Sequence, residues 1–181
     1  MALPRAVEIL WNDLQAARTE FLGEVEGLSQ RQADWKPGAT DWSVGEVIHH
    51  LTIAEIATGK LTTKLTREAE AAGTLVAFPA DVARFTPLAQ ASEDPGQAPQ
   101  VVWPEHGKPV AELISTMKAT RERSRQSIDK LAACDPRRLV FKHFRYGDLN
   151  LAQWWQLQAA HDRMHLAQVR EIKSAIGFPP A

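Results

Sequence analysis

Apolar residues recur at three- and four-residue intervals in four stretches of the chain, with polar residues between them. That spacing is the mark of a helix with one buried stripe. The first stretch runs from about Pro4 to Gly27, with Val7, Leu10, Trp11, Leu14, Phe21 and Val25 on the stripe. Pro4 suits a first helical turn, where its missing N–H costs nothing. The second starts after Asp41 or Ser43 and ends near Gly73, with Val44, Val47, Leu51, Ala54, Leu61 and Leu65 inward. Ser43 with Glu46 three residues on has the form of a capping box. The third runs from about Pro109 to Ala133 on Val110, Leu113, Ile114, Met117, Ile128 and Leu131. The fourth starts near Asn150, a plausible cap, and reaches about Ile176 before Gly177. Four long amphipathic helices predict an all-α four-helix bundle.

The stretches between them differ in kind. LSQRQADWKPGATDW is short and turn-rich. LVFKHF alternates only briefly, a weak strand signal within a loop. Residues 73–108 have no strong periodicity and carry prolines at 79, 87, 95, 99 and 104. So long a connection in a compact domain is either functional or a topological crossover. One short helix near Asp81 to Arg84 is compatible with its sequence.

Composition narrows the partners. At 181 residues and 44% hydrophobic, the chain has the size and apolar content of a single domain spanning 1–181. A formal net charge of -1 leaves no basic excess for nucleic acid. No apolar run approaches the roughly 20 residues of a membrane span. The N-terminus carries charges within its apolar pattern, unlike a signal peptide. Cys134 stands alone, so a reducing cytoplasm is the expected compartment. A small-molecule substrate is the remaining kind of partner.

The chemistry lies in AAHDRMHLAQ, residues 159–168. With about 100° per residue, and His161 as zero, His165 falls near 40°, Trp154 and Ile172 near 20° and Val169 near 80°. Both histidines therefore sit inside the apolar stripe, one turn apart. On the second helix, His50 lies at the edge of the stripe and His49 nearly opposite. Three imidazoles from two helices, His50, His161 and His165, can converge inside the bundle. Three neutral imidazoles suit zinc, nickel or a similar borderline ion and leave a coordination position for water or substrate. Gln168, one turn after His165, is a candidate to orient a ligand ring. The competing reading is that inward histidines satisfy one another and nearby carboxylates with no metal at all. His49, His106 and His143 read as surface or loop residues, Cys134 as an inert helix end, and Trp11, Trp42, Trp154 and Trp155 as packing.

Arg18 interrupts the first stripe, and Arg121 and Ser124 the third. Buried arginines need partners. They can line a pocket and grip an anionic substrate group, or form an internal salt bridge with Glu55 or Asp162; the salt bridge is the favoured reading. Asp162 points about 100° from His161 and is expected to be exposed. Glu55 lies off the face of His50 by about 140°, so no general base is assigned.

Two segments, LSQRQADWKPGATDWSVGEVIHHLTIAE and GDLNLAQWWQLQAAHDRMHLAQVRE, resemble the DinB-like family, which includes thiol-dependent S-transferases. The resemblance implies an up-down-down-up four-helix bundle, with residues 73–108 as the long crossover between helices 2 and 3. It implies a divalent metal, nickel or zinc, on His50, His161 and His165. It also implies homodimers and, for some members, a low-molecular-weight thiol cosubstrate: bacillithiol, mycothiol or glutathione. The expectation is a metal-dependent thiol S-transferase. The alternatives are a metal-dependent hydrolase on the same ligands, or a stress-associated metal-binding or dimerisation module without catalysis. Fold alone does not choose among these.

Overall fold

In a computed structural model that describes residues 2–88 and 99–180, the chain is mostly helical. The four long helices are α1 (Arg5–Val25), α3 (Val44–Ala71), α4 (Val110–Ala133) and α5 (Leu151–Ser174), with a short α2 (Gln30–Asp34) between the first two. A two-stranded antiparallel hairpin, β1 (Val140–His143) and β2 (Gly147–Asn150), precedes α5. The hairpin accounts for the alternation in LVFKHF. The turn-rich 28–42 segment holds α2, whose first turn is fixed by the Ser29–Gln32 capping box. Residues 81–84 form no helix, in contrast to the expectation for that segment.

Local chemistry sets where the long helices begin. The Ser43 hydroxyl accepts from the Glu46 amide, and the Glu46 carboxylate accepts from the Ser43 amide. Asn150 and Gln153 make the same reciprocal pair at the start of α5. Each such cap contributes about 1 kcal/mol. Gly73, at φ +65°, ends α3 in the left-handed conformation that glycine adopts without strain.

Side-chain pairs give the topology. Arg18 meets Asp162 and Glu24 meets Lys173, so α1 and α5 run in the same direction. Glu55 meets Arg121 and Thr63 meets Lys130, so α3 and α4 are also parallel. Thr62 meets Trp155 and Thr58 meets Gln158, so α3 and α5 are antiparallel. The order is up-down-down-up, and the parallel α3–α4 pair requires the crossover through residues 72–109. Part of that segment, including Pro95, lies outside the described residues. Phe85 on its first half is buried in the core.

The core falls into two clusters. One holds Val7, Leu10, Leu14, Ile128, Leu131 and Trp155; the other holds Phe21, Val47, Leu51, Met117, Leu166 and Val169. On the second half of α3 the inward positions are Thr58, Thr62 and Thr66, while Leu61 and Leu65 are half-buried, so the expected leucine stripe shifts. Each of these threonines donates to the carbonyl four residues before it. Thr58 and Thr62 also accept from Gln158 and the Trp155 indole. Local hydrogen bonding thus lets a polar stripe occupy a helix interface.

Candidate metal centre

Between the two apolar clusters lies a layer of four charges, one from each long helix. Arg18 donates through Nε and Nη2 to the two oxygens of Asp162 at 3.0 and 2.9 Å, and through Nη2 to Glu55 at 2.9 Å. Arg121 donates to Glu55 at 2.8 and 3.2 Å, to Asp162 at 3.2 Å and to the Leu14 carbonyl. All four side chains are at most 4% exposed. Burial alone would raise the Glu55 pKa, but Arg121 and Arg18 outweigh it and hold the carboxyl below the usual range. The internal salt bridge foreseen for these arginines is present. Asp162, expected at the surface, is buried: α5 packs on both α1 and α3, so a side chain about 100° from His161 still meets a neighbour. Arg18 and Arg121 line no part of the pocket described below, and their hydrogen bonds run to carboxylates and a main-chain carbonyl.

One turn along α3 and α5 the polar groups follow a different rule. His161 Nε2 lies 3.0 Å from His50 Nε2 and 3.0 Å from His165 Nε2. The ligand atoms of the three rings all lie within 4.8 Å of one another, and among the described residues no further histidine, cysteine or carboxylate joins them. The outer two rings have their protons committed elsewhere. His50 Nδ1–H donates to the Val102 carbonyl at 2.7 Å, and His165 Nδ1–H donates to Gln168 Oε1 at 2.6 Å. In a neutral ring the other nitrogen then carries a lone pair. Nε2 of His50 and of His165 are therefore both acceptors turned on His161 Nε2, which can bear at most one proton. At least one of the 3.0 Å contacts sets lone pair against lone pair.

Protonation does not relieve the conflict. Burial lowers the pKa of all three rings; His165 and His50 lower His161 further, and His50 lowers His165. His165 falls to about 4 from burial first and His50 second, against the raising effect of Gln168. For His161, burial comes first, then His165, His50, His143 and Arg18. Three convergent lone pairs on neutral imidazoles are the donor set of a borderline divalent cation. Ligands about 2.0–2.1 Å from zinc in tetrahedral geometry stand little more than 3 Å apart. The three-histidine group can hold a metal ion, and its three donors leave a position free.

The surroundings fix the rings. Trp42, just before the α3 cap, lies 4.8 Å from His50 and stacks 6.1 Å from His165, centroid to centroid. The crossover is clipped along α3: beside the His50–Val102 bond, His49 accepts from the Glu105 amide at 2.9 Å, and His106 lies 3.5 Å from Glu46. The 73–108 segment thus serves the site as well as crossing the bundle. His49 has a contact of its own, and Cys134 is a buried helix end whose thiol donates to Lys130, its pKa raised by burial.

A pocket of about 320 Å³ opens beside His50 and His161. Its walls are mostly apolar, from Ala54, Ala57, Leu157, Met164 and Trp154, with Val101 and Phe144 exposed at the mouth. His143 also lines it. That residue was expected on a surface loop; the hairpin buries it to 8% exposure against Trp154. The alternation of LVFKHF followed by a turn with Gly147 was the signal for it. Trp154 faces the pocket, while its neighbour Trp155 fills the core.

An up-down-down-up bundle with an open trihistidine group between its second and fourth long helices defines the class of protein. The sequence profile of the DinB superfamily matches residues 13–169, and the chain belongs to that superfamily. Over 166 residues it is 28% identical to the uncharacterized protein YuaE of Bacillus subtilis (strain 168), covering 88% of this chain and 94% of YuaE. The fold is similar to that in the crystal structure of TT2238, a four-helix bundle protein, with a TM-score of 0.62 at 16% identity over 92% of this chain and 99% of that one. Among the described residues no helix is long and apolar enough to cross a membrane.

Proposed function

We propose that the chain is a divalent-metal-dependent enzyme that joins a low-molecular-weight thiol to a small apolar electrophile. The observation that carries this reading is the placement of His161 Nε2 at 3.0 Å from two nitrogens whose rings have already committed their protons. His50, His161 and His165 would hold zinc or nickel, which supplies a free coordination position and lowers the pKa of a thiol bound there. The protein's own part is to orient and to exclude water. Val102 and Gln168 fix the ring tautomers, and Trp42 limits ring rotation. The apolar pocket holds the electrophile next to His50 and His161. Thiolate sulfur then forms a C–S bond while a C–Cl or epoxide C–O bond breaks; chloride leaves, or the alkoxide takes a proton from solvent. The homodimer implied by the family resemblance belongs to the same proposal, and sedimentation checks it.

The test uses metal-loaded protein purified without a histidine tag. Glutathione, mycothiol and bacillithiol are each incubated with a chlorinated or epoxide electrophile. Thiol consumption that disappears in His161→Ala is expected. If no thiol is consumed, transfer is excluded; ester or amide hydrolysis by the same preparation would then favour the hydrolase, and its absence a non-catalytic module.

A further inference from the structure

His143 has features that neither the metal site nor the hairpin requires together. It ends β1, and the turn 144–146 returns to Gly147, whose φ of +70° favours glycine. The ring caps that turn: Nδ1 accepts from the Arg145 amide at 3.1 Å and from the Tyr146 amide at 3.3 Å. Two N–H donors on Nδ1 require a lone pair there, so the proton is on Nε2. Burial, with Arg145 second, lowers the His143 pKa and keeps the ring neutral near pH 7. The ring is wedged among Phe144, Tyr146 and Trp154, with centroids at 4.5, 5.2 and 4.9 Å. Nε2–H has no acceptor among the described residues, although the ring lines the pocket and lies close enough to His161 to depress its basicity. Of the pocket's other polar groups, Thr58 and Gln158 are bonded to each other, Thr58 also donates to Ala54, and Arg145 and Tyr146 line the pocket from the hairpin turn.

A rigid donor of fixed tautomer in a mostly apolar pocket selects for an acceptor. We propose that His143 is the polar anchor of the pocket, and that its Nε2–H donates to a carbonyl or epoxide oxygen on an otherwise apolar electrophile. The inference deepens the proposed function and rests on it for the ligand's role as substrate. As sulfur attacks carbon, the displaced electron pair moves onto that oxygen, where the donor is already in place. The oxygen then takes its proton from solvent.

Two variants separate anchoring from turn capping. In His143→Asn the amide oxygen occupies the place of Nδ1, which keeps the cap and removes the donor. In His143→Gln an N–H reaches the place of Nε2, which keeps the donor. The probes are acetophenone and ethylbenzene, alike in their apolar body and different in the oxygen, titrated by ligand-observed NMR into metal-free and zinc-loaded protein. The preference for acetophenone, taken as the ratio of the two Kd values, should fall about tenfold in His143→Asn, the size of one net hydrogen bond. It should stay within about threefold of wild type in His143→Gln. Long-range ¹H–¹⁵N spectra of the wild type should show the Nε2–H tautomer. An unchanged ratio in His143→Asn, rescue by Asn rather than Gln, or no binding of acetophenone to the wild type overturns the anchor. A preference that persists in protein that takes up no zinc would leave the anchor standing and remove the metal reading.

Discussion

Two polar clusters cross the interior of this bundle side by side on α5, Asp162 in one and His161 and His165 in the other. They follow opposite rules. Arg18, Arg121, Glu55 and Asp162 sum to zero charge, and the carboxylate oxygens of each acid accept from both arginines. That layer balances its own charge, and of its buried polar atoms only Arg18 Nη1 has no partner among the described residues. The Nε2 atoms of the three histidines meet in one place with at most one proton among them, a donor set that can hold a cation. The charged layer is a closed structural device, and the histidine group, whose His161 is only half-buried, is an open site. The difference lies in counting donors against acceptors.

Breaking each cluster should separate them most clearly. Glu55→Leu leaves two buried guanidiniums short of a partner and should cost about 3–5 kcal/mol. For a chain of this size that is a fall in melting temperature of roughly 6–20 °C. His161→Ala in metal-free protein removes a conflict rather than a partner. Its stability should stay within about 1 kcal/mol of wild type, because the loss of packing and the relief of the lone-pair contact oppose each other. Thermal unfolding of both variants without metal checks the pair.

Acid should separate the clusters by pH window. The folded pKa of His165 is depressed from 6.5 to about 4, so between those values the unfolded chain binds a proton that the fold refuses. Metal-free protein should therefore lose stability as pH falls from about 6.5 to about 4, by on the order of 3 kcal/mol, and no further from this group below that. Glu55, also depressed, acts in the same direction but lower: its stabilisation is full above 4.5 and is lost as pH falls through its folded pKa. Urea titrations at a series of pH values should show two separate declines, with His165→Ala shrinking the upper one, to which His50 and His161 also contribute.

Added metal should act on one cluster alone. Zinc at about 100 times its Kd should stabilise wild type by about 2.7 kcal/mol and leave His161→Ala unmoved. Gln168→Ala, which frees the His165 tautomer, should weaken metal affinity by about 10–100-fold without unfolding the chain. The smallest effect belongs to the surface: Asp13→Asn, which breaks an exposed pair with Arg163, should cost under about 1 kcal/mol.

Much of this was legible along the chain because it is local. The four long helices follow from apolar spacing, and the Ser43 and Asn150 caps from side chains that bond their own backbone. The convergence of His50, His161 and His165 follows from angular position on two helices that had to pack face to face. What was not legible depends on contacts distant in sequence. Asp162 is buried because α1 covers its flank. The inward stripe of α3 turns to threonines because Trp155 and Gln158 supply donors to them. His143 enters the pocket because a hairpin folds back on Trp154. The Val102 carbonyl reaches His50 through a crossover whose sequence has no period to read.

The central claim is that the three histidines are a metal site, and metal content tests it most directly. Protein purified without a histidine tag, then exposed to zinc or nickel and dialysed, should carry about one divalent ion per chain by elemental analysis, and His161→Ala should carry none. Wild-type protein that retains no ion, with a melting temperature that neither cation moves, would contradict the claim.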